Sequence, residues 1–541
     1  MQTFKKSYLM FLTLVLAAFL VACSDDSNDT STGDDTSSNS EDSSNSNDDS
    51  TASAGGELIL EVLSEAVELD PHGSNDVPSA NLQANIYDTL LNRNFETGEY
   101  LPGLATEWNL VDELTLELKL RDDVKFHDGT PFNAEAVKIN LDRLLDPEVA
   151  SPRASIFQPI SEVVVVDEFT VQIKTEAPYV PIYATLTHPG GYMISPAVIA
   201  EDYEAMKNGG EPRAVVNEKP VGTGFMKFDS WQAGQQIKLV KNEEYWGGAV
   251  AYDSVVFKTI PESATRAADL EAGYAHIIDP VQPIEVERVK QFASVTEQPS
   301  VSIAYIGFNT QKAPLDNVKL RQAISKAVDR ETIIEGIFEG YALAAVGPLA
   351  PATWGYSDDI VKQDYNMEEA KALMKEAGYE DGLKLNLWTN DNPQRIQIAT
   401  VMQEKLKELN IELNVEVLEW GAYLEKTAGE EHELFILGWS SSTADADNGL
   451  NPLFNTADIG NNNRTRYSNP ELDVILTKAQ QESDETVRAD LYKQAATIIN
   501  EEAPAAFVYH QSYLTGVSNK VSGFSIDASG IYRLKDVKIS E

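Results

Sequence analysis

The chain has 541 residues, which is too long for one hydrophobic core, so we expect two to four domains. It carries 86 acidic and 42 basic residues, and its formal net charge is −44 at pH 7. This charge argues against a nucleic-acid partner, because binding to phosphates needs a basic surface.

The N-terminal part reads as a leader. Lys5 and Lys6 precede an apolar run from Tyr8 to Ala22 that is too short for a normal transmembrane helix. The run ends in Leu-Val-Ala-Cys, and Cys23 is the only cysteine of the chain. This ending resembles the lipobox of bacterial lipoproteins, which implies cleavage before Cys23 and lipid attachment to its thiol. A plain secretory signal cut nearby is the alternative, and it leaves the sole cysteine unexplained.

A leader and a tether are therefore predicted before the globular body. Residues 1–22 are the predicted signal peptide. Residues 23–56 are rich in Ser, Asp, Asn and Thr and have almost no apolar side chains, so they cannot bury enough surface to offset the entropy of ordering. We expect a disordered acidic tether that holds the body on the extracytoplasmic face of a cell membrane, of the Gram-positive type.

The first half of the body shows β-rich patterns. Residues 57–63 predict a strand, and leucines that alternate with polar residues over 114–121 predict a half-buried strand. Asn133 can cap a helix, and a hairpin is predicted over 163–173.

The second half shows alternating strands and helices. Asn366 and Glu369 fit the start of a helix that Gly378 can end. Over 383–417 a strand, a helix and a second strand alternate, which is the βαβ rhythm of a parallel sheet.

An apolar run at 434–437 predicts a further buried strand. The polar loop predicted after it carries an indole, four hydroxyls and two carboxylates. Such a loop at the end of a buried strand is typical of a recognition site on an α/β sheet, although an ordinary surface loop is the alternative.

Several segments, in order along the chain, resemble one family. They are LDPH at Leu69, YDTLL at Tyr87, LPGLATEW at Leu101, LTLELKLRDDVKFHDGTPFNAEAV at Leu114, PVGTGFMKF at Pro220, NEEYW at Asn242, GFNT at Gly307 and LRQAISKAVDR at Leu320. The chain from about Gly56 to its C-terminus is similar to the family-five extracytoplasmic solute-binding proteins of peptide and nickel ABC importers.

This resemblance implies an α/β fold with two lobes, periplasmic-binding-protein-like (type II), and an inserted third subdomain. The ranges that it implies are 57–95, 190–300 and 505–541 for the first lobe, 96–189 for the insert, and 301–504 for the second lobe. The hinge would lie near Ser300 and Pro504.

Within the family, the chain is most similar to glutathione- and dipeptide-binding lipoproteins. The segments that carry this are Thr187-His188-Pro189, MISP at Met193, GWSSST at Gly438 and NPLF at Asn451. Dipeptide and oligopeptide binders carry an aspartate shortly after the Gly-Trp pair, where it holds the α-ammonium group of the peptide. Ser442 takes that place here, which favours a γ-linked peptide over an ordinary α-peptide.

A zwitterionic peptide needs an anion for its ammonium group and a cation or N–H groups for each carboxylate. Asp445 and Asp447 are the candidates for the ammonium group, and Glu65, just before the Leu-Asp-Pro motif, competes with them. Arg395 and Arg153 are candidates for the carboxylates, because a guanidinium binds a carboxylate with two hydrogen bonds. A solvent-facing arginine is the alternative for each.

Further candidates lie at the pocket wall. Trp420 matches a family position that lines the pocket, with core packing as its alternative. Gly438, Trp439 and Ser440 can present backbone amides and an indole ring at the end of the predicted strand.

No enzyme is predicted, because the chain has no Gly-x-Ser-x-Gly elbow and its one cysteine is assigned to lipid. The six histidines are dispersed, so we expect no metal site and no cofactor. The predicted protein is a monomeric membrane-tethered binder that captures a short peptide, with a glutathione-like one as a candidate, by closing its lobes. It would deliver the peptide to the permease subunits of an ABC importer. A nickel-chelate or oligopeptide binder is the alternative within the family, and a ligand sensor or secreted hydrolase is the alternative from another class.

Overall fold

The computed structural model describes residues 55–540. The predicted signal peptide, Cys23 and nearly all of the predicted tether lie outside the described residues. Within 55–540, none of the helices combines the length and the apolar character that crossing a lipid bilayer requires.

The strands are numbered in chain order. They are β1 (Glu57–Val62), β2 (Leu91–Arg93), β3 (Tyr100–Pro102), β4 (Ala105–Asp112), β5 (Thr115–Leu120), β6 (Ile160–Asp167), β7 (Thr170–Thr175), β8 (Met226–Gln232), β9 (Gln236–Lys241), β10 (Ser254–Thr259), β11 (Ile277–Asp279), β12 (Ala293–Pro299), β13 (Ser302–Phe308), β14 (Ala342–Ala344), β15 (Leu383–Asn390), β16 (Ile411–Leu418), β17 (Leu434–Ser440), β18 (Ala505–Ser518), β19 (Val521–Ser522), β20 (Ser525–Ile526), β21 (Tyr532–Arg533) and β22 (Lys538–Ile539).

The helices are numbered in the same way. They are α1 (Val77–Ile86), α2 (Ala134–Leu145), α3 (Ala154–Phe157), α4 (Ile182–Thr185), α5 (Pro196–Lys207), α6 (Ala214–Glu218), α7 (Ser263–Ala272), α8 (Val286–Val289), α9 (Val318–Lys326), α10 (Arg330–Phe338), α11 (Met367–Glu376), α12 (Pro393–Lys407), α13 (Trp420–Ala428), α14 (Ala446–Phe454), α15 (Pro470–Gln481) and α16 (Glu485–Glu502). Short 3₁₀ helices cover Pro189–Gly191, Pro283–Glu285 and Thr456–Asp458.

A 12-stranded sheet is the framework of the molecule, in the order β16-β15-β17-β13-β18-β11-β1-β10-β9-β8, with β12 and β14 also paired to β18. At one end β1 runs parallel to β10 and β11, and at the other β15 runs parallel to β16 and β17. We call the part built on β1 and β8–β11 the first lobe, and the part built on β13 and β15–β17 the second lobe. The long strand β18 runs through both.

Each lobe has its own hydrophobic core. In the first lobe, β1, β9 and β10 pack their apolar side chains against α1 and α5. In the second lobe, one face of the sheet packs against α9–α12, and the other face packs against α14–α16. The insert is a four-stranded sheet, β4-β5-β7-β6, whose inner face packs on α2. Apolar burial of this extent is the main stabilising term for each unit.

The local sequence signals are largely confirmed. Asn366 caps α11 through a hydrogen bond from the backbone N–H of Glu369 at 3.1 Å, and Asn133 caps α2. The predicted alternation over 383–417 is β15, α12 and β16, with the two strands parallel. The predicted hairpin is β6 and β7.

The predicted boundary at Pro504 needs a correction. Residues 505–509, assigned to the first lobe, pair with β13, and Ala506 and Val508 pack in the core of the second lobe. The same strand pairs with β12 from Ser512 onward. The chain therefore passes between the lobes inside β18, because one continuous strand serves both, and the other predicted domain boundaries stay predictions.

Candidate functional site

A cavity of about 310 Å³ lies between the two lobes. It opens at the carboxyl ends of β1 and β11 in the first lobe and of β15 and β17 in the second. Parallel strands of an α/β sheet commonly present their ligand sites at this edge. All predicted ligand-binding residues except Asp445 and Asp447 line the cavity, and ligand binding by them stays a prediction.

Glu65, in the chain that follows β1, is held by the β8–β9 hairpin. Its Oε1 accepts a hydrogen bond from Nε1 of Trp231 at 2.7 Å, and both oxygens accept from the backbone N–H of Gly234 at 3.0 Å. The carboxylate is half-buried at the cavity wall. These neutral donors fix its position, and no basic side chain among the described residues forms a salt bridge with it.

Arg153, from the insert, is a buried cation in the cavity wall, with 1% of its surface exposed. Its Nη1 donates to the carbonyl of Pro71 at 2.8 Å and to Oε1 of Gln83 at 3.1 Å. Burial lowers the pKa of Arg153 to about 10, because both partners are neutral and no carboxylate within residues 55–540 forms a salt bridge with it. A buried guanidinium of this kind favours an anionic partner.

His188 lies beside Arg153, and the sequence analysis named it only in the Thr187-His188-Pro189 segment that carries the resemblance. It caps the short helix Pro189–Gly191, and its Nδ1 accepts from the backbone N–H of Gly190 at 2.9 Å. Burial, together with the charge of Arg153, keeps the pKa of His188 well below its usual value. The neutral ring is therefore assigned a proton on Nε2, which makes it a hydrogen-bond donor in the cavity wall.

Arg395, at the start of α12, is the main cation on the wall of the second lobe. Its Nη1 donates to Oδ1 of Asn390 at 2.9 Å, and its guanidinium lies 5.6 Å from the ring centroid of Trp420. A Cβ on Gly438 would lie 3.2 Å from Nη2 of Arg395, so glycine leaves room for the guanidinium. The ring and the amide orient a planar donor that can bind a carboxylate with two hydrogen bonds.

The end of β17 contributes three more wall residues. Nε1 of Trp439 donates to the carbonyl of Asn448 at 2.7 Å, so its ring, rather than its N–H, is offered to the cavity. Ser440 donates from Oγ to the carbonyl of Ser529 at 2.8 Å, and this bond joins the second lobe to the C-terminal segment. The hydroxyl of Ser442 makes a long contact, 3.4 Å, with Oδ1 of Asn448.

Asp445 and Asp447 do not line the cavity, so their predicted role in holding an ammonium group is not supported. The predicted loop ends at Asp445, which caps α14. Its carboxylate forms an ion pair with Arg488 of α16 at 2.6 Å. Asp447 accepts from the hydroxyls of Tyr179 at 3.2 Å and Tyr492 at 3.4 Å. Both carboxylates are engaged inside the protein because α16 and the insert pack on the start of α14.

The structure adds cavity residues that the sequence analysis missed. Arg464 lines the wall and donates from Nη1 to the carbonyl of Leu424 at 2.6 Å and to Oγ1 of Thr427. Asp279 ends β11, and Tyr532 covers it. The sequence Ile277-Ile278-Asp279-Pro280 could have predicted a strand that ends at Asp279. No local pattern marks Arg464 or Tyr532.

The charges of the wall are balanced although the chain is strongly acidic. Three arginines (Arg153, Arg395 and Arg464) and three acidic residues (Glu65, Asp76 and Asp279) line the cavity. Aromatic and apolar side chains separate them and exclude water. Within 55–540, no three His, Cys, Asp or Glu side chains are grouped so that they could hold a metal ion. The wall is complementary to a ligand that carries charges of both signs.

Two α/β lobes with a ligand-sized cavity between the ends of their parallel strands define a two-lobed solute-binding protein. Residues 99–461 match the family model described as bacterial extracellular solute-binding proteins, family 5 Middle. The chain belongs to this family. The predicted family and the predicted fold class, type II with an inserted subdomain, are confirmed.

Individual relatives cover most of the chain. It is 32% identical to a glutathione-binding protein of Pectobacterium atrosepticum, over 90% of this chain and 95% of that protein. It is 30% identical to the dipeptide-binding protein of Escherichia coli, over 84% of this chain and 89% of that protein. Among solved structures, the ABC transporter-associated periplasmic binding protein DppA of Helicobacter pylori, in complex with the peptide STSA, superposes with a TM-score of 0.84. It is 30% identical and covers 90% of this chain and 98% of that one.

Proposed function

We propose that this protein is the substrate-binding component of an ABC importer, anchored to the outer face of the membrane through a lipidated Cys23, and that it captures a short peptide. The observation that carries the proposal is the cavity between the lobes, whose wall offers cations and carboxylates that form no salt bridge within residues 55–540, among aromatic side chains. A zwitterionic peptide supplies the missing partner for each sign of charge. The peptide-binding relatives support this ligand class.

Lobe closure is the proposed mechanism. A ligand that contacts Arg395 in the second lobe and Glu65 or Arg153 on the other side is bound fully only when the lobes are closed. It therefore shifts the population toward the closed form, which the permease would recognise. The protein acts as a monomer and performs no chemistry on the peptide.

A glutathione-like peptide is the first ligand to test. Such a γ-linked peptide carries two carboxylates and one ammonium group, and three arginines line the cavity. Ser442 also lines the cavity at the position where an aspartate would hold the α-ammonium group of an ordinary peptide. The arginines can pair with the two carboxylates of a glutathione-like peptide, and the serine favours a γ-linked peptide over an ordinary α-peptide.

Isothermal titration calorimetry on the full-length protein in detergent tests the proposal. The ligands are glutathione, a panel of dipeptides, longer peptides and a nickel–histidine chelate. We expect saturable binding of at least one peptide, with micromolar or tighter affinity. Binding of the chelate alone would replace the peptide proposal with nickel transport, and release of a hydrolysed product would show an enzyme.

A further inference from the structure

Asp279 provides a carboxylate at the cavity wall of the first lobe. It is the last residue of β11, and both it and Tyr532 line the cavity. Its Oδ2 accepts from the hydroxyl of Tyr532 at 2.7 Å, and its Oδ1 accepts from Oγ1 of Thr515 at 2.9 Å. Because Tyr532 itself forms part of the wall, Oδ2 lies close to the ligand space.

No protein cation neutralises this carboxylate. The positive charge of Arg266 acts on Asp279, but Arg266 donates its hydrogen bonds to the carbonyls of Ile260, Pro261 and Pro280 at 2.6, 3.0 and 2.7 Å. None of the salt bridges formed within residues 55–540 includes Asp279. Burial raises the pKa of Asp279 in spite of the two hydroxyl donors. A desolvated carboxylate in this state gains more from a cation than an exposed one does.

The wall next to Asp279 suits the apolar part of a cationic group. Phe257 stacks on Tyr532 with ring centroids 6.4 Å apart, and both rings line the cavity. Phe338, Tyr341 and Leu514 line the same cavity. Aromatic faces attract ammonium and guanidinium groups, and methylene groups pack well against them.

We propose that Asp279 binds the positively charged nitrogen of the transported ligand, an ammonium or guanidinium group, in a subsite walled by Phe257 and Tyr532. The subsite would take the role that was predicted for Asp445 and Asp447, since those two carboxylates are engaged inside the protein. This inference rests on the proposed peptide-binding function. The cation can be the N-terminus of a peptide or a basic side chain.

Calorimetry with two ligand pairs tests this subsite and separates the two sources. The first pair is alanyl-alanine and its N-acetyl form, and the second is alanyl-lysine and alanyl-norleucine, each titrated into the full-length protein in detergent. We expect the wild type to prefer the cationic member of at least one pair by about 10- to 100-fold. Asp279→Asn should abolish that preference and leave the affinity for the neutral member unchanged. If the variant loses the preference in the first pair, the cation is the N-terminus of the peptide. If it loses the preference in the second pair, the cation is the lysine side chain.

The variants are chosen so that folding and binding are separated. An asparagine at 279 can keep both hydrogen bonds, because the hydroxyls of Thr515 and Tyr532 accept as well as donate. Asp88→Asn is the matched control. Asp88 is another carboxylate of the first lobe, held by Thr223, Tyr245 and Trp246 away from the cavity, so its loss should leave the ligand preference intact.

The outcomes distinguish this inference from the proposed function. An Asp279→Asn protein that binds peptides with the wild-type preference overturns the subsite alone. If the wild type binds none of the four peptides but binds glutathione or a longer peptide, the subsite is overturned and the peptide function stands; if it binds no peptide at all, both are refuted. A crystal structure of the wild type with alanyl-lysine tests the subsite without any variant. A cationic nitrogen within hydrogen-bond distance of Asp279 supports it, and both nitrogens placed elsewhere in the cavity overturn it.

Discussion

The guanidinium of Arg488 donates two hydrogen bonds to the carboxylate of Asp445, at 2.6 and 3.0 Å. Arg488 also lies over the rings of Trp354 and Tyr492, at 4.3 and 5.1 Å from their centroids. Asp445 caps α14, so this pair ties the start of α14 to α16. A carboxylate used in this way has a structural role, and its removal should be seen in stability rather than in ligand affinity.

Asp445→Asn should therefore lower the free energy of unfolding by about 3 kcal/mol, because it leaves the buried Arg488 without a counter-charge. Denaturant titration measures this change, and calorimetry on the folded variant should give a ligand affinity within threefold of wild type. Asp359→Asn is the control, since Asp359 pairs with Lys493 in an exposed salt bridge and should change stability far less. A large loss of affinity in a stable Asp445→Asn protein would restore the ligand role.

Local sequence signals predicted the helices and strands well, but they did not predict the ion pair between Asp445 and Arg488. The cap of α11 depends on Asn366 and Glu369, three residues apart, so it could be predicted from the sequence. The partner of Asp445 is 43 residues away, on another helix, and no pattern near Asp445 indicates it. The polar loop predicted after residues 434–437 does border the cavity, but its two acids, Asp445 and Asp447, lie in the start of α14 and not in the cavity wall.

The same distinction explains the correction at β18. Residues 505–509, which the resemblance assigned to the first lobe, form the start of β18. Its membership of the second lobe depends on pairing with β13, about 200 residues earlier in the chain. Long-range pairing of this kind is not visible in one sequence, and for the same reason Arg464 and Tyr532 were missed as cavity residues.

Arg395→Gln should weaken the binding of peptides with a free C-terminal carboxylate by about 2 kcal/mol or more, roughly 30-fold. The reason is that Arg395 is fixed by Asn390 and Trp420 but has no carboxylate partner within residues 55–540. Calorimetry with a peptide and its C-terminal amide checks this, and the affinity for the amide should hardly change. Arg288→Gln is the control, since Arg288 forms an exposed salt bridge with Glu271. Equal losses for both peptides would show that Arg395 only shapes the cavity.

Asp447 should make stability depend on pH. Burial, and then the charge of Asp445, raise the pKa of Asp447 from 3.8 to about 6. Between these values the folded protein binds more protons at this site than the unfolded chain does. The stability that Asp447 contributes is therefore highest below about pH 4, and it falls as the pH rises through about 6.

Asp447→Asn should remove this dependence, because an amide does not ionise. Between pH 4 and pH 7, the free energy of unfolding of the variant should rise relative to that of wild type by about 1 to 3 kcal/mol. The upper end is the most that a pKa shift of this size can contribute. Denaturant titrations at several pH values measure the difference between the two proteins. A difference that is constant with pH would mean that Asp447 keeps an ordinary pKa in the folded protein.

Cys23→Ser should release the protein from the membrane. Serine cannot form the thioether bond to diacylglycerol, and removing the sole cysteine leaves no alternative attachment site. Fractionation of a Gram-positive host that expresses either the wild type or the variant checks this. We expect the wild type in the membrane fraction and the variant in the medium, apart from any precursor whose signal peptide is not cleaved. Wild-type protein that is secreted free of lipid would support cleavage at a plain secretory signal instead.

The contact between Asn461, Asn462 and Pro152 should control lobe closure. Both asparagines donate from Nδ2 to the carbonyl of Pro152, at 3.0 and 3.1 Å, and Asn75 donates to Oδ1 of Asn462 at 3.1 Å. These bonds join the second lobe to the insert and the first lobe, so we expect them to break when the lobes separate. Each of the three bonds contributes about 0.5 kcal/mol to the closed form, about 1.5 kcal/mol together.

The double change of Asn461 and Asn462 to alanine should therefore weaken peptide binding by about tenfold, since the ligand must then close the lobes without these bonds. Calorimetry measures the affinity, and small-angle X-ray scattering should show a more open ensemble at equal ligand concentration. Asn414→Ala is the control, because Asn414 bonds to Asn386 inside the second lobe at 3.2 Å. If the double variant binds and closes like wild type, closure depends on the ligand contacts and on the remaining bonds between the lobes, such as those from Arg93 to Thr443 and from Tyr179 to Asp447.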